Sequence, residues 1–292
     1  MKSKYEKIVL ILTYLSSSLM ATVSQKYILN VLHFNFPFLL LLIQSIIVIF
    51  MIQILVFFGL ISLKLDISKF KTWLPCSLAL IFMIYTGIKS LYYLPISVYS
   101  LFKNGSIILI AVLEKQLFKR KIDKNSYIAF ILMIISSGFV DIGDFKKDQL
   151  GYLWILLNII STTLYLMSLK YILTLTGDSN FEALFYGQVL LIPFLCTLSF
   201  FYKIDLKIFD TVLIFFILLS GISIFFVTYS SIWCIRLLSS TTFSMLGAMN
   251  KLFVSFSGIL LIGENNIDFL KIFSLILGFV ASIIYSKTIK NE

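Results

Sequence analysis

Acidic side chains are scarce in this chain: 14 Asp and Glu stand against 24 Lys and Arg over 292 residues. Histidine is scarcer still. His33 is alone, which excludes any catalytic or metal arrangement needing two imidazoles. Cys76, Cys196 and Cys234 lie scattered in or at the ends of apolar segments with no paired spacing, so they offer neither a metal site nor a disulfide framework. No glycine-rich phosphate loop, HExxH pattern or carboxylate pair on an apolar helix stands out, and no soluble catalytic domain is present. These absences argue against an enzyme; no catalytic residue, cofactor or metal is expected.

What the chain has is hydrocarbon. Hydrophobic residues make up 60% of it, against roughly 45–50% in a soluble domain. Only 13% of residues are charged, and the mean hydropathy is +1.01. A soluble fold of this size could not hide that much apolar surface, so the chain reads as an all-α membrane protein. The net charge of +10 could suggest nucleic acid, but the basic residues lie in short clusters between apolar runs. That pattern reports topology; the bilayer, not nucleic acid, is the expected partner.

A span needs roughly 17–25 mostly apolar residues. Breaks at charge and Pro/Gly/Asn clusters give ten: 8–28, 37–62, 74–93, 96–114, 126–143, 150–173, 181–202, 209–233, 237–262 and 267–286. Lys2, Lys4 and Lys7 before the first run imitate a signal peptide, yet the run continues to about Ile28, longer than a typical signal core. It is read as an uncleaved span. With alternating topology, 15 basic residues fall on one side, among them Lys69, Lys170 and Arg236, and 6 on the other. Basic residues accumulate on the cytosolic side, so both termini are expected there.

The halves align with each other. Adding 144 to the numbers of the segment 85–100 superposes Tyr85 on Tyr229, Ile88 on Ile232, Leu94 on Leu238 and Ser100 on Ser244. Five spans per half is odd, so the second half must be inverted. The expectation is one polytopic membrane domain, 1–292, built from repeat A (about 8–143) and repeat B (about 150–286). Inverted repeats place a substrate site at their midplane interface and permit alternating access.

Three cations fall inside spans: Lys89, Lys103 and Lys251. A lysine at the centre of a spanning helix costs roughly 2.5–3.5 kcal/mol on insertion scales, so its retention needs a reason. An anionic ligand crossing the membrane is the economical one. Lys103 and Lys251 lie one in each half, each beside an amide, Asn104 and Asn250. An ammonium suits phosphate oxygens, and an amide both donates and accepts. Snorkelling to an interface is the bland alternative. Gly247 and Ala248 thin the helix face before Lys251, whether for a ligand or for helix packing. Lys89 has the weaker case and could pair with Glu114. Tyr14 in the first span, Phe185-Tyr-Gly-Gln188 in the seventh, and Thr228 and Ser231 in the eighth add rings, hydroxyls and an amide suited to a nucleobase or sugar.

At these residues the chain resembles the nucleotide-sugar transporters of the drug/metabolite transporter superfamily, in particular the Golgi GDP-mannose transporters. The strongest segment is Ser239-Ser-Thr-Thr-Phe-Ser-Met-Leu-Gly-Ala-Met-Asn-Lys251, matching the family's Gly-Ala-Leu-Asn-Lys signature with Met249 for Leu. Tyr14-Leu-Ser-Ser-Ser-Leu-Met-Ala-Thr-Val-Ser-Gln-Lys26 and Tyr99-Ser-Leu-Phe-Lys-Asn104 match as well. The resemblance implies exchange of a nucleotide sugar for a nucleoside monophosphate at the Golgi membrane, alternatively the ER, with Gly247, Asn250 and Lys251 at sugar and phosphate. It leaves a homodimer open. The seventh span departs from the family: Gly187 and Gln188 stand where it carries two asparagines associated with guanine. Another GDP- or UDP-sugar, or sugar-phosphate/phosphate exchange, therefore stays open beside GDP-mannose. An exporter of cations would find two midplane lysines counterproductive, and a membrane scaffold or lipid-modifying protein would not need them.

Overall fold

In the computed structural model the described residues are 2–34, 36–63, 66–94, 96–119, 123–138, 149–200, 210–250, 273, 276–281 and 283–285. Every regular element among them is helical. In chain order these are α1 (Lys2–Lys26), α2 (Pro37–Phe57), α3 (Ile67–Tyr93), α4 (Ile96–Phe118), α5 (Lys124–Gly138), α6 (Gln149–Thr176), α7 (Asn180–Phe200) and α8 (Thr211–Leu237). Residues 240–250 are the described part of α9, and Ile276–Tyr285 that of α10. Six of these helices are long and apolar enough to cross a bilayer: α1, α2, α3, α6, α7 and α8. Lys251 lies outside the described residues.

Local chemistry sets the helix ends and corrects two boundaries drawn from hydropathy. The second span was expected to run to 62, but its helix stops at Phe57, because Gly59 takes a positive φ of 69° and folds its amide back onto the Val56 carbonyl. The third was expected from 74, yet α3 starts at Ile67, where the Asp66 carboxylate accepts from the Ser68 amide at 2.9 Å. Charge marked this turn as loop, whereas Lys69 and Lys71 lie within the helix. Ser179 and Glu182 form a capping box at the start of α7: Ser179 N–H donates to the Glu182 carboxylate at 2.7 Å, and Glu182 N–H to the Ser179 hydroxyl at 3.2 Å. Beyond α1 the chain widens into a π turn, Tyr27–Val31.

Packing divides the chain into two compact units, and neither is a sequence half. Unit 1 comprises Met1–Ser77 and Ile172–Leu237; unit 2 comprises Leu78–Tyr171 and Leu238–Glu292. In unit 1, α1 packs on α8, and α2 on both α7 and α8. In unit 2, α4 packs on α5, and Ile107, Ala111, Phe130, Met133, Met245, Ala248 and Tyr285 share one core. Large apolar side chains such as Phe57 and Phe200, each 86% exposed, face outward. That is the surface a lipid-facing protein needs.

Candidate functional site

Unit 2 holds Lys103, a lysine expected inside a span of the first half. Lys103 Nζ donates to the hydroxyl of Tyr99, one turn earlier on α4, at 2.7 Å. Among the described residues no carboxylate pairs with it. The lysines nearer helix ends differ: Lys170 of α6 pairs with Glu114, and Lys69 of α3 reaches Asp178 at 2.5 Å. Lys89 does not take Glu114, as the sequence suggested; its Nζ lies 5.9 Å from the ring centroid of Tyr85, while the Glu114 carboxylate is occupied by Lys170 and by α9. Helix packing, which a hydropathy reading does not see, decided that competition.

Two residues not singled out from sequence, Asn158 and Gly87, lie near Lys103's tyrosine. Asn158 of α6 is wholly buried, its Nδ2 donating to the Met83 carbonyl at 2.7 Å and to the Thr86 hydroxyl at 3.1 Å. Its Oδ1 has no hydrogen-bond partner among the described residues. Gly87 lies between the two: a Cβ there would stand 3.2 Å from Asn158 Nδ2 and 3.4 Å from the Tyr99 hydroxyl. The glycine thus leaves room for a polar trio of cation, phenol and amide. Asn104, beside Lys103, is buried at 5% exposure. On α9, Asn250 is buried and Gly247 half-buried, while Ala248 packs into the core with Ile107 and Ala111 of α4.

Unit 1 gathers the other candidates. Tyr14 is buried on α1. Thr228 donates to the Ile224 carbonyl and Ser231 to the Val227 carbonyl at 2.6 Å, so both hydroxyls spend their proton on their own helix and present only lone pairs. On α7, Tyr186 is fully buried, stacked 6.3 Å from Trp73 and edge-on to Phe70, and its hydroxyl accepts from the Asp66 amide at 2.9 Å. These contacts anchor the α2–α3 turn to α7 and give Tyr186 a packing role. Phe185 is half-buried beside it. Gln188 is buried, and its Oε1 has no partner among the described residues.

Unit 1 also carries a charged clasp. Asp178, between α6 and α7, accepts from Lys69, from Trp73 Nε1 at 2.9 Å, and through its backbone carbonyl from Arg236. Burial alone would push its carboxyl up, but the bonds from Lys69, Trp73 and Thr176 outweigh it and hold the group below its ordinary value. The clasp joins three turns that the distribution of basic residues assigns to the same membrane side.

Known proteins resemble this arrangement along almost the whole chain. A GDP-mannose transporter of Coccidioides immitis is 35% identical over 307 residues, covering 94% of this chain and 78% of that protein. A GDP-mannose transporter of Aspergillus oryzae is 36% identical over 300 residues with the same coverage. The chain belongs to the nucleotide-sugar transporter family. Its place there is beside proteins named GDP-mannose transporters. No family model matches the chain. A solved crystal structure, described only as that of a protein, aligns with 94% of this chain and 97% of its own at a TM-score of 0.72 and 11% identity. That likeness is one of fold alone.

Proposed function

We propose that this transporter exchanges a nucleotide-diphosphate sugar, GDP-mannose first, for the nucleoside monophosphate across the Golgi membrane. It would do so through ten spans in two inverted repeats, with both termini cytosolic. The observation that carries the reading is Lys103: Lys69 and Lys170 have acids, whereas Lys103, expected inside a span, meets a phenol and no carboxylate among the described residues. An empty site leaves it uncompensated in a low-dielectric cavity, so reorientation without an anion should be slow; a bound phosphate lowers that barrier. The names of the curated relatives support GDP-mannose as cargo.

The packing supports the repeat. Exchanging each span for the one five places away turns α1·α8 into α6·α3, the pair bridged by Asn158 and Thr86. The same exchange leaves α2·α7 unchanged, as it does the α4–α9 contact. The offset of 144 also carries Ser17 to Ser161 and Gln44 to Gln188. It sets Tyr14 opposite Asn158.

The test is uptake of labelled GDP-mannose into proteoliposomes. Vesicles loaded with GMP should take it up far faster than empty ones, and Lys103→Ala and Lys251→Ala should each abolish exchange in correctly inserted protein. Equal initial rates with and without internal nucleotide would overturn obligatory exchange. Loading with UMP in parallel separates a UDP-sugar carrier, which the Gly187-Gln188 change favours as the second reading.

A further inference from the structure

Glu114 is 1% exposed, yet its carboxylate accepts from at least four donors among the described residues. These are the Ser240 amide at 3.2 Å, the Thr241 amide at 3.0 Å, the Thr241 hydroxyl at 2.5 Å, and Lys170 of α6. A buried ion pair is a poor stabiliser, since apolar replacements often do as well. Nor does α9 need it as a cap. Ser239 already supplies one, its hydroxyl oxygen accepting from the Thr242 amide at 2.9 Å. What Glu114 adds is a link between helices.

That link has a register. Asn104 lies ten residues before Glu114 on α4, and Asn250 ten residues after Ser240 on α9. With a rise of 1.5 Å per residue, both amides stand about 15 Å from the clasp. Between the clasp and the amides the two helices share one core, Ile107 and Ala111 of α4 with Met245 and Ala248 of α9. Lys103 and Lys251 are the neighbours of these amides in sequence. We propose that Glu114 is a positioning residue that sets α4 against α9, holding the two amides, Asn104 and Asn250, at one depth for the substrate. Its effect on transport rests on the function proposed above; the register itself does not. A slip of one residue would move one amide by about 1.5 Å and turn it by roughly 100°.

Two measurements test this. In protein carrying Cys76→Ala, Cys196→Ala and Cys234→Ala, Ile107→Cys should cross-link preferentially with one of Met245→Cys, Ala248→Cys and Met249→Cys, and Glu114→Ala should blur that preference. In GMP-loaded proteoliposomes, Glu114→Gln should raise the KM for GDP-mannose about tenfold, as expected for losing one charge-assisted bond. Glu114→Gln with Lys170→Gln, which removes the stranded cation, should recover part of the loss. An unchanged cross-linking preference in Glu114→Ala would overturn the proposal. So would a wild-type KM in Glu114→Gln, even if its melting temperature fell. Cross-linking needs no substrate, so a wild-type protein that fails to exchange GDP-mannose counts against the function and not against the register.

Discussion

Gly187 stands where the family places an asparagine, and a Cβ there would meet nothing within 4 Å among the described residues. Its neighbour Gln188 is buried with an unpartnered Oε1 among the described residues. Leaving such an acceptor unsatisfied costs about 1–3 kcal/mol. A base that offers N–H donors, as guanine and uracil do, would satisfy it. Gln188→Ala should therefore weaken the preferred nucleotide by roughly 5- to 150-fold and its competitors less. Thermal stabilisation by GMP, UMP, CMP and AMP reads that flattening. The open space at Gly187 should accept the family's pair, so Gly187→Asn with Gln188→Asn should raise the relative preference for guanine. If both variants keep the wild-type order of bases, the segment is packing and the base is read elsewhere.

Between helices, close approach replaces the hydrophobic drive that lipid cannot supply. Gly221 of α8 shows it: a Cβ there would lie 2.5 Å from Ile47 Cδ1 and 3.0 Å from its Cβ on α2. Gly221→Ala should cost about 1–3 kcal/mol through overpacking. Ile47→Ala in the same protein should recover part of it, read as melting temperature in detergent. The Asp178 clasp predicts a pH response. Its carboxyl titrates below its ordinary value of 3.8, so its contribution is fully present above that value and is lost as pH falls through the lower folded value. Melting temperature should hold between pH 5 and 8 with respect to this group and drop only below about pH 4. Asp178→Asn should lower stability near neutrality and flatten the acid limb; an unchanged acid limb would show that other carboxylates govern it.

Across the whole molecule, the distribution of basic residues expects the clasp turns and both termini on the cytosolic side. Tags at either end should then be digested by protease added outside sealed vesicles whose cytosolic face is outward, and protection of either tag would reverse the topology. Much of this was legible in the chain. Membrane class and the positions of most spans follow from apolar run length and isolated charge, which are local properties set by the cost of putting polar groups in hydrocarbon. The ends of α2 and α3 were less legible, because a positive-φ glycine and an aspartate cap override hydropathy. Partners were not legible at all. That Glu114 takes Lys170 and α9 rather than Lys89, that Tyr186 is spent on Trp73 and Asp66, and that Asn158 stands beside Lys103's tyrosine were decided only by tertiary structure. Each of those contacts joins residues far apart in sequence, and which of several equally suitable groups is reached depends on how whole helices pack.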